Sequence, residues 1–184
     1  MGFERLAKTG KLRSLPEGCV LCREGEAGET AYIVLSGQVD VVLDSYSAKP
    51  QTVATLPAGS FVGEMSLFLK HKRTATVVSS ADGTNVLEVG MDSFRNYLKE
   101  DGLTCFKLMK TLTTRIDEMI IKVNRHDKLF ARHFKDNDYF KLAHQLFPAE
   151  FNDLVEKNAD SAINLISYLC SSLQILNDRY VSQE

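Results

Sequence analysis

The chain has 184 residues, 44% of them hydrophobic, enough for one good core and an appended helical piece. Its formal charge of −2 excludes a global electrostatic pull toward nucleic acid or anionic lipid. No apolar run of about eighteen residues offers a membrane span, and the opening MGFERLAKTGKLRS lacks the apolar centre of a secretory signal. The Met-Gly start fits the myristoylation pattern only loosely, because Ala7 follows where Ser or Thr is usual. Cys19 and Cys22 have redox or zinc spacing, yet no second pair and no partner of two histidines three to five residues apart accompanies them. Alternation in a strand points the two to opposite faces, so all four cysteines read as packing residues of a reduced, cytoplasmic protein.

Up to about Val89 the sequence reads as short strands broken by glycine and proline. Leu15–Gly18 is a turn, Cys19–Cys22 a strand and Glu24–Gly28 a second turn. Ala31–Leu35 and Val39–Leu43 flank Ser36-Gly37, which is a hairpin signal. A polar loop over Asp44–Pro50 precedes a strand at Thr52–Leu56, and Thr74–Ser79 and Val86–Val89 follow around the turn Ala81–Gly83. Strands at such close intervals predict a mainly β fold, a jelly-roll-like β-roll, rather than a parallel sheet.

From Met91 the pattern is helical. Asp92 or Ser93 is the expected cap of a short helix through Lys99. Met109, Leu112, Ile116, Met119, Val123 and Phe130 then form a heptad-like seam over Leu103–Phe134, interrupted at His126. That seam suits a homodimer through Leu103–Phe134, a single helix lying along the barrel, or an intramolecular bundle with the last helix. Further helices are expected at Asn137–Phe147, Ala149–Lys157 and Ser161–Val181, the last with an apolar stripe of Ile166, Leu169, Leu173, Leu176 and Tyr180. The expected organisation is a β-roll with flanking helices over 1–102, a long connecting helix over 103–134 and an all-α extension over 135–184.

The chemistry concentrates in Gly59–Val77, which reads GSFVGEMSLFLKHKRTATV. Gly63 lets the backbone turn and approach a ligand, and Glu64–Phe68 is long enough for one helical turn whose leading N–H groups favour an anion. Arg73 brings a guanidinium fork to the same anion and is expected to await it rather than to pack a core. A carboxylate at Glu64 beside an anion makes sense if the ligand also carries sugar hydroxyls. One phosphate plus one ribose is what a cyclic nucleotide offers.

This stretch resembles the phosphate-binding cassette of the cyclic-nucleotide-binding domain family, F-x-G-E followed about nine residues later by R-[ATS]-A. Arg23–Gly37 is similar to the same family, and the resemblance covers roughly 14–134, closest to the bacterial catabolite-activator-protein branch. It implies that Glu64 takes the ribose 2′-hydroxyl and Arg73 the exocyclic phosphate oxygens. Backbone N–H groups of Met65, Ser66 and Thr74 would complete the cradle beside Gly63, with Val62 against the base. The Thr-Ser pair that touches adenine in that branch falls here on Met119 and Ile120, which would leave apolar stacking. Cyclic AMP is the first expectation and cyclic GMP, through a Thr74 hydroxyl, the alternative. No cofactor is implied.

A winged-helix transcription regulator is disfavoured, since residues 135–184 carry four basic against eight acidic residues, the wrong sign for a duplex. The four histidines (71, 126, 133 and 144) have no metal-ligand spacing, and neither a P-loop nor a nucleophile elbow is present. The expectation is a regulatory receiver, not an enzyme, that couples ligand binding to its C-terminal helices and to a protein partner. A structural adaptor that kept the barrel without the ligand is the competing expectation.

Overall fold

A computed structural model describes residues 4–43, 49–69, 72–125 and 127–182. The chain divides into two compact units, Met1–Arg95 and Asn96–Glu184. His71, His126 and most of the polar loop before Pro50 lie outside the described residues.

The first unit runs α1 (Glu4–Ala7), β1 (Lys11–Leu15), β2 (Val20–Cys22), β3 (Thr30–Ser36), β4 (Gln38–Leu43), β5 (Gln51–Pro57), β6 (Phe61–Val62), α2 (Glu64–Leu69), β7 (Thr76–Ser79) and β8 (Thr84–Gly90). The next helix, α3 (Met91–Glu100), begins in it. Two antiparallel four-stranded sheets form the roll, in the orders β1-β8-β3-β6 and β2-β7-β4-β5. Along β4, Val39, Val41 and Leu43 turn inward and Gln38 stays out, as alternation requires. In β3 Ala31, Tyr32, Ile33 and Val34 are all buried, so both of its faces are covered. Phe61 on β6 meets Phe94 on α3 with ring centroids 5.8 Å apart.

The expected strands are present, but their pairing differs at Ser36-Gly37. That dipeptide does not close a hairpin. Both edges of β3 are occupied, by β8 and by β6, so β4 has no place beside it and pairs with β5 and β7 in the other sheet. Gly37, at φ 74°, carries the chain across. A Cβ there would run into Thr84, whose Cα is 2.8 Å away. The strand β1 escaped the sequence reading because Lys11–Leu15 is an edge strand with only Leu15 buried.

The second unit continues from α3 with α4 (Gly102–Asn124), α5 (Lys128–Lys135), α6 (Asp138–Gln145) and α7 (Pro148–Val181). Asp101 caps α4 by accepting from the Thr104 N–H at 2.9 Å, and Tyr97 donates to the same carboxylate at 2.6 Å. The continuous helix expected over Leu103–Phe134 is corrected: it breaks after Asn124, and Asp127 caps a separate helix by accepting from the Phe130 N–H at 3.0 Å. Inside α7 Asn158 is non-helical (φ −156°, ψ 80°), and its side chain accepts from the Ser161 N–H. The two helices expected at Ala149–Lys157 and Ser161–Val181 therefore meet at that residue.

The seam of α4 is covered within the chain. Met109, Leu112, Ile116, Met119 and Val123 are buried, as are Ile166, Leu169, Leu173 and Leu176 of α7, which packs along α4. Gly102 lies against Asn152, and at the other end the Lys122 ammonium lies 5.9 Å from the Tyr180 ring centroid. Arg179 joins Asp127 at 2.5 Å. The seam expected to join a homodimer is thus covered by α7 of the same chain.

Two substitutions test this architecture. Gly37→Ala should destabilise the chain by about 1–3 kcal/mol in chemical denaturation, since a side chain is strained at that φ and meets Thr84. Met119→Lys places an unpaired charge at a side chain 3% exposed. It should cost more than about 3 kcal/mol and melt the helical unit by circular dichroism, whereas a dimer seam would show dissociation with helicity intact.

Candidate functional site

Three segments of the first unit converge on Arg73. The turn between β2 and β3 pins its backbone: Arg73 N–H donates to the Glu26 carbonyl at 2.8 Å, and Gly25 N–H donates to the Arg73 carbonyl at 2.9 Å. Thr30, which opens β3, accepts from Nη2 through its carbonyl at 2.7 Å and its hydroxyl at 3.1 Å. Gly63, between β6 and α2, accepts from Nη1 at 3.0 Å. The guanidinium carbon stands 5.7 Å from the centroid of the Tyr32 ring.

Arg73 is 5% exposed, and its Nε is buried with no hydrogen-bond partner. This corrects the expectation that the arginine merely awaits an anion. It already stitches three backbone segments together, and one N–H remains over. A buried unsatisfied donor costs about 1–3 kcal/mol, more when charged, until an acceptor arrives. An anionic oxygen is the chemistry that answers it.

Gly63 is glycine for two reasons. Its φ is 77°, and a Cβ would collide with Nη1 of Arg73 and stand 3.2 Å from the Thr30 carbonyl. The cassette glycine and the cassette arginine are therefore a single packing unit. Glu64, Met65 and Ser66 follow on α2, at 1%, 4% and 2% exposure, and Val62 is buried on β6 opposite Tyr32 of β3. Thr74 is half-buried, and its hydroxyl donates to the Met65 sulfur at 3.7 Å. Met119 and Ile120 are buried on α4 in the second unit.

Sequence reasoning missed Thr30, Tyr32, Cys22 and the spatial role of Gly28. Burial pushes the Cys22 thiol up, Arg73 opposes that with its positive charge, and Glu26 and Glu64 add to the rise. The thiol thus reads the charges of the same neighbourhood. The signal that could have found these residues is the turn EGEAGET itself, whose length brings Thr30 back to the level of Gly63. No cluster of three or more metal-binding side chains occurs among the described residues.

Comparison with known proteins finds similar chains. A cyclic nucleotide-gated potassium channel of Rhizobium etli is 37% identical over 70 residues, covering 38% of this chain and 18% of the channel. A cGMP-dependent protein kinase of Caenorhabditis elegans is 33% identical over 78 residues, covering 42% and 10%. The cAMP-activated global transcriptional regulator of Salmonella typhimurium is 24% identical over 112 residues, covering 61% and 53%. The matches thus span at most 53% of the length of these relatives. A cAMP-binding acyltransferase from Mycobacterium smegmatis shares the fold, with a TM-score of 0.56 at 24% identity over 64% of this chain and 36% of that one. Residues 12–101 match the family profile of the cyclic nucleotide-binding domain, and this segment of the chain belongs to that family.

Proposed function

We propose that the first unit binds a cyclic nucleotide monophosphate at Arg73 and Glu64, and that the helical unit passes the event to a protein partner. The observation that carries this reading is the buried, unpartnered Nε of Arg73 beside Gly63 and α2. Phosphate supplies the missing acceptor, with Ser66 and Thr74 lining the same side, and the Glu64 carboxylate accepts from a ribose hydroxyl. Val62, Gly63 and Met65 shape the wall.

Cyclic AMP is our first ligand. The Thr74 hydroxyl, the group that would read a guanine edge, is already engaged with the Met65 sulfur. The names of the relatives point both ways, one kinase being cGMP-dependent and one regulator cAMP-activated. Met119 and Ile120, the base contacts that the family resemblance implies, are buried on α4 within the helical unit. Nucleotide can rearrange the helical unit only by its differential affinity for the two states.

One observation favours a second reading. Three hydrogen bonds already give Arg73 a structural purpose, so a barrel that had lost its ligand would keep the residue. Titration calorimetry with cyclic AMP and cyclic GMP separates the two. We expect heat from cyclic AMP, with weaker binding of cyclic GMP; silence from both leaves an adaptor.

Arg73→Lys keeps a positive charge but removes the guanidinium fork. It should weaken binding about tenfold to more than a hundredfold, for the 1.5–3 kcal/mol of a charge-assisted bond. It should also lower the melting temperature without ligand, because the bonds to Thr30 and Gly63 go with it. Unchanged affinity places the anion elsewhere. Glu64→Gln should cost less, and its effect should shrink with a 2′-deoxy nucleotide; an equal loss with both nucleotides removes Glu64 from the ribose.

A further inference from the structure

Gly28 stands in the turn between β2 and β3. Unlike Gly25, at φ 83°, it has no left-handed backbone to explain it. Its reason is space. A Cβ at position 28 would collide with the Cβ of Ser66, stand 2.7 Å from the Ser66 hydroxyl and lie 3.4 Å from Arg73 Nε.

Neither side can readily give way. Ser66 is 2% exposed on α2, between Met65 at 4% and Leu67 at 0%. The turn is held by the backbone bonds of Gly25 and Glu26 to Arg73. Two residues beyond Gly28, Thr30 grips Nη2 of the same guanidinium. A side chain at position 28 must therefore push α2 outward or drag the turn, and either motion moves a group that orients Arg73.

From this we infer that Gly28 and Ser66 are a size-matched pair of positioning residues that aims the free Nε–H of Arg73. The combined bulk that the two positions tolerate is what a glycine and a serine fill. The consequence for nucleotide affinity rests on the function proposed above, since Nε is the donor assigned there to phosphate. The Ser66 Cβ is the nearer of the two atoms a new side chain would meet, so removing the hydroxyl alone leaves the closer clash in place.

The test uses the full chain with Gly28→Ala, Ser66→Gly, and the double variants Gly28→Ala/Ser66→Gly and Gly28→Ala/Ser66→Ala. Calorimetry with cyclic AMP and cyclic GMP should show Gly28→Ala losing about tenfold or more in affinity for both, because the phosphate is common to them. Adding Ser66→Gly should recover affinity to within about threefold of Ser66→Gly alone. Adding Ser66→Ala should not, since its Cβ remains. Should Gly28→Ala fail to fold, refolding of the Ser66→Gly double variant is the recovery to score. Full affinity in Gly28→Ala, or equal behaviour of the two double variants, overturns the pairing.

The Arg73 Nε–H signal in a nitrogen-15 NMR spectrum without nucleotide supplies an independent arm. It should shift in Gly28→Ala and return in Gly28→Ala/Ser66→Gly, and a signal that stays put overturns the inference. If the parent chain binds neither nucleotide, the functional reading falls while this arm still decides the pair.

Discussion

The guanidinium of Arg73 is the point on which the first unit turns. A charge that is 5% exposed must be compensated, and here backbone carbonyls and a hydroxyl do it. Those acceptors come from the start of β3 and from the junction of β6 with α2. The arginine's own backbone is tied to the turn before β3. Segments distant in sequence are thus registered by one side chain. The glycine at position 63 follows from it, since any other residue would occupy the space of Nη1. The family pattern of glycine, glutamate and arginine is in this light a packing requirement as much as a ligand-binding one.

What the sequence revealed and what it hid follow one physical division. Strands such as Val39–Leu43 were legible because alternation is a local property of a half-buried surface. The order of Gly63, Glu64 and Arg73 was legible because their chemistry is specific even before folding. Pairing was not legible. Ser36-Gly37 has the local signature of a hairpin, and only the occupancy of both edges of β3 shows that the chain must leave the sheet. The role of Gly28 was equally hidden, because steric exclusion by Ser66 depends on a contact 38 positions away in the chain.

The helical unit shows the same division. Both apolar stripes are visible by their spacing, and so is the interruption of the first seam at His126, but spacing does not show that the helix ends after Asn124. Spacing alone does not say whether a stripe meets a second copy or another part of its own chain. In the structure α7 supplies the cover, and Arg179 fastens its end to Asp127 at the head of α5. The hydrogen bond from Arg179 holds the Asp127 carboxyl below its usual range. Asp127 also caps α5, so the break in the helix and the closure of the bundle share a residue. No helix among the described residues is long and apolar enough to cross a membrane.

The register of the first sheet has a kinetic consequence. Lys11 pairs with Glu88 and Leu15 with Thr84, while β8 also serves β3 on its other side. The roll therefore cannot close its first sheet until nearly the whole unit has been made, and β1 waits through the synthesis of everything between. Loop-closure entropy must be met before these distant pairings return any energy, which places such a topology among slowly folding ones. During that interval the unpaired edges of β1 and β3 stay open, and the charged Lys11 and Arg13 on β1 guard one of them against pairing with a neighbouring chain.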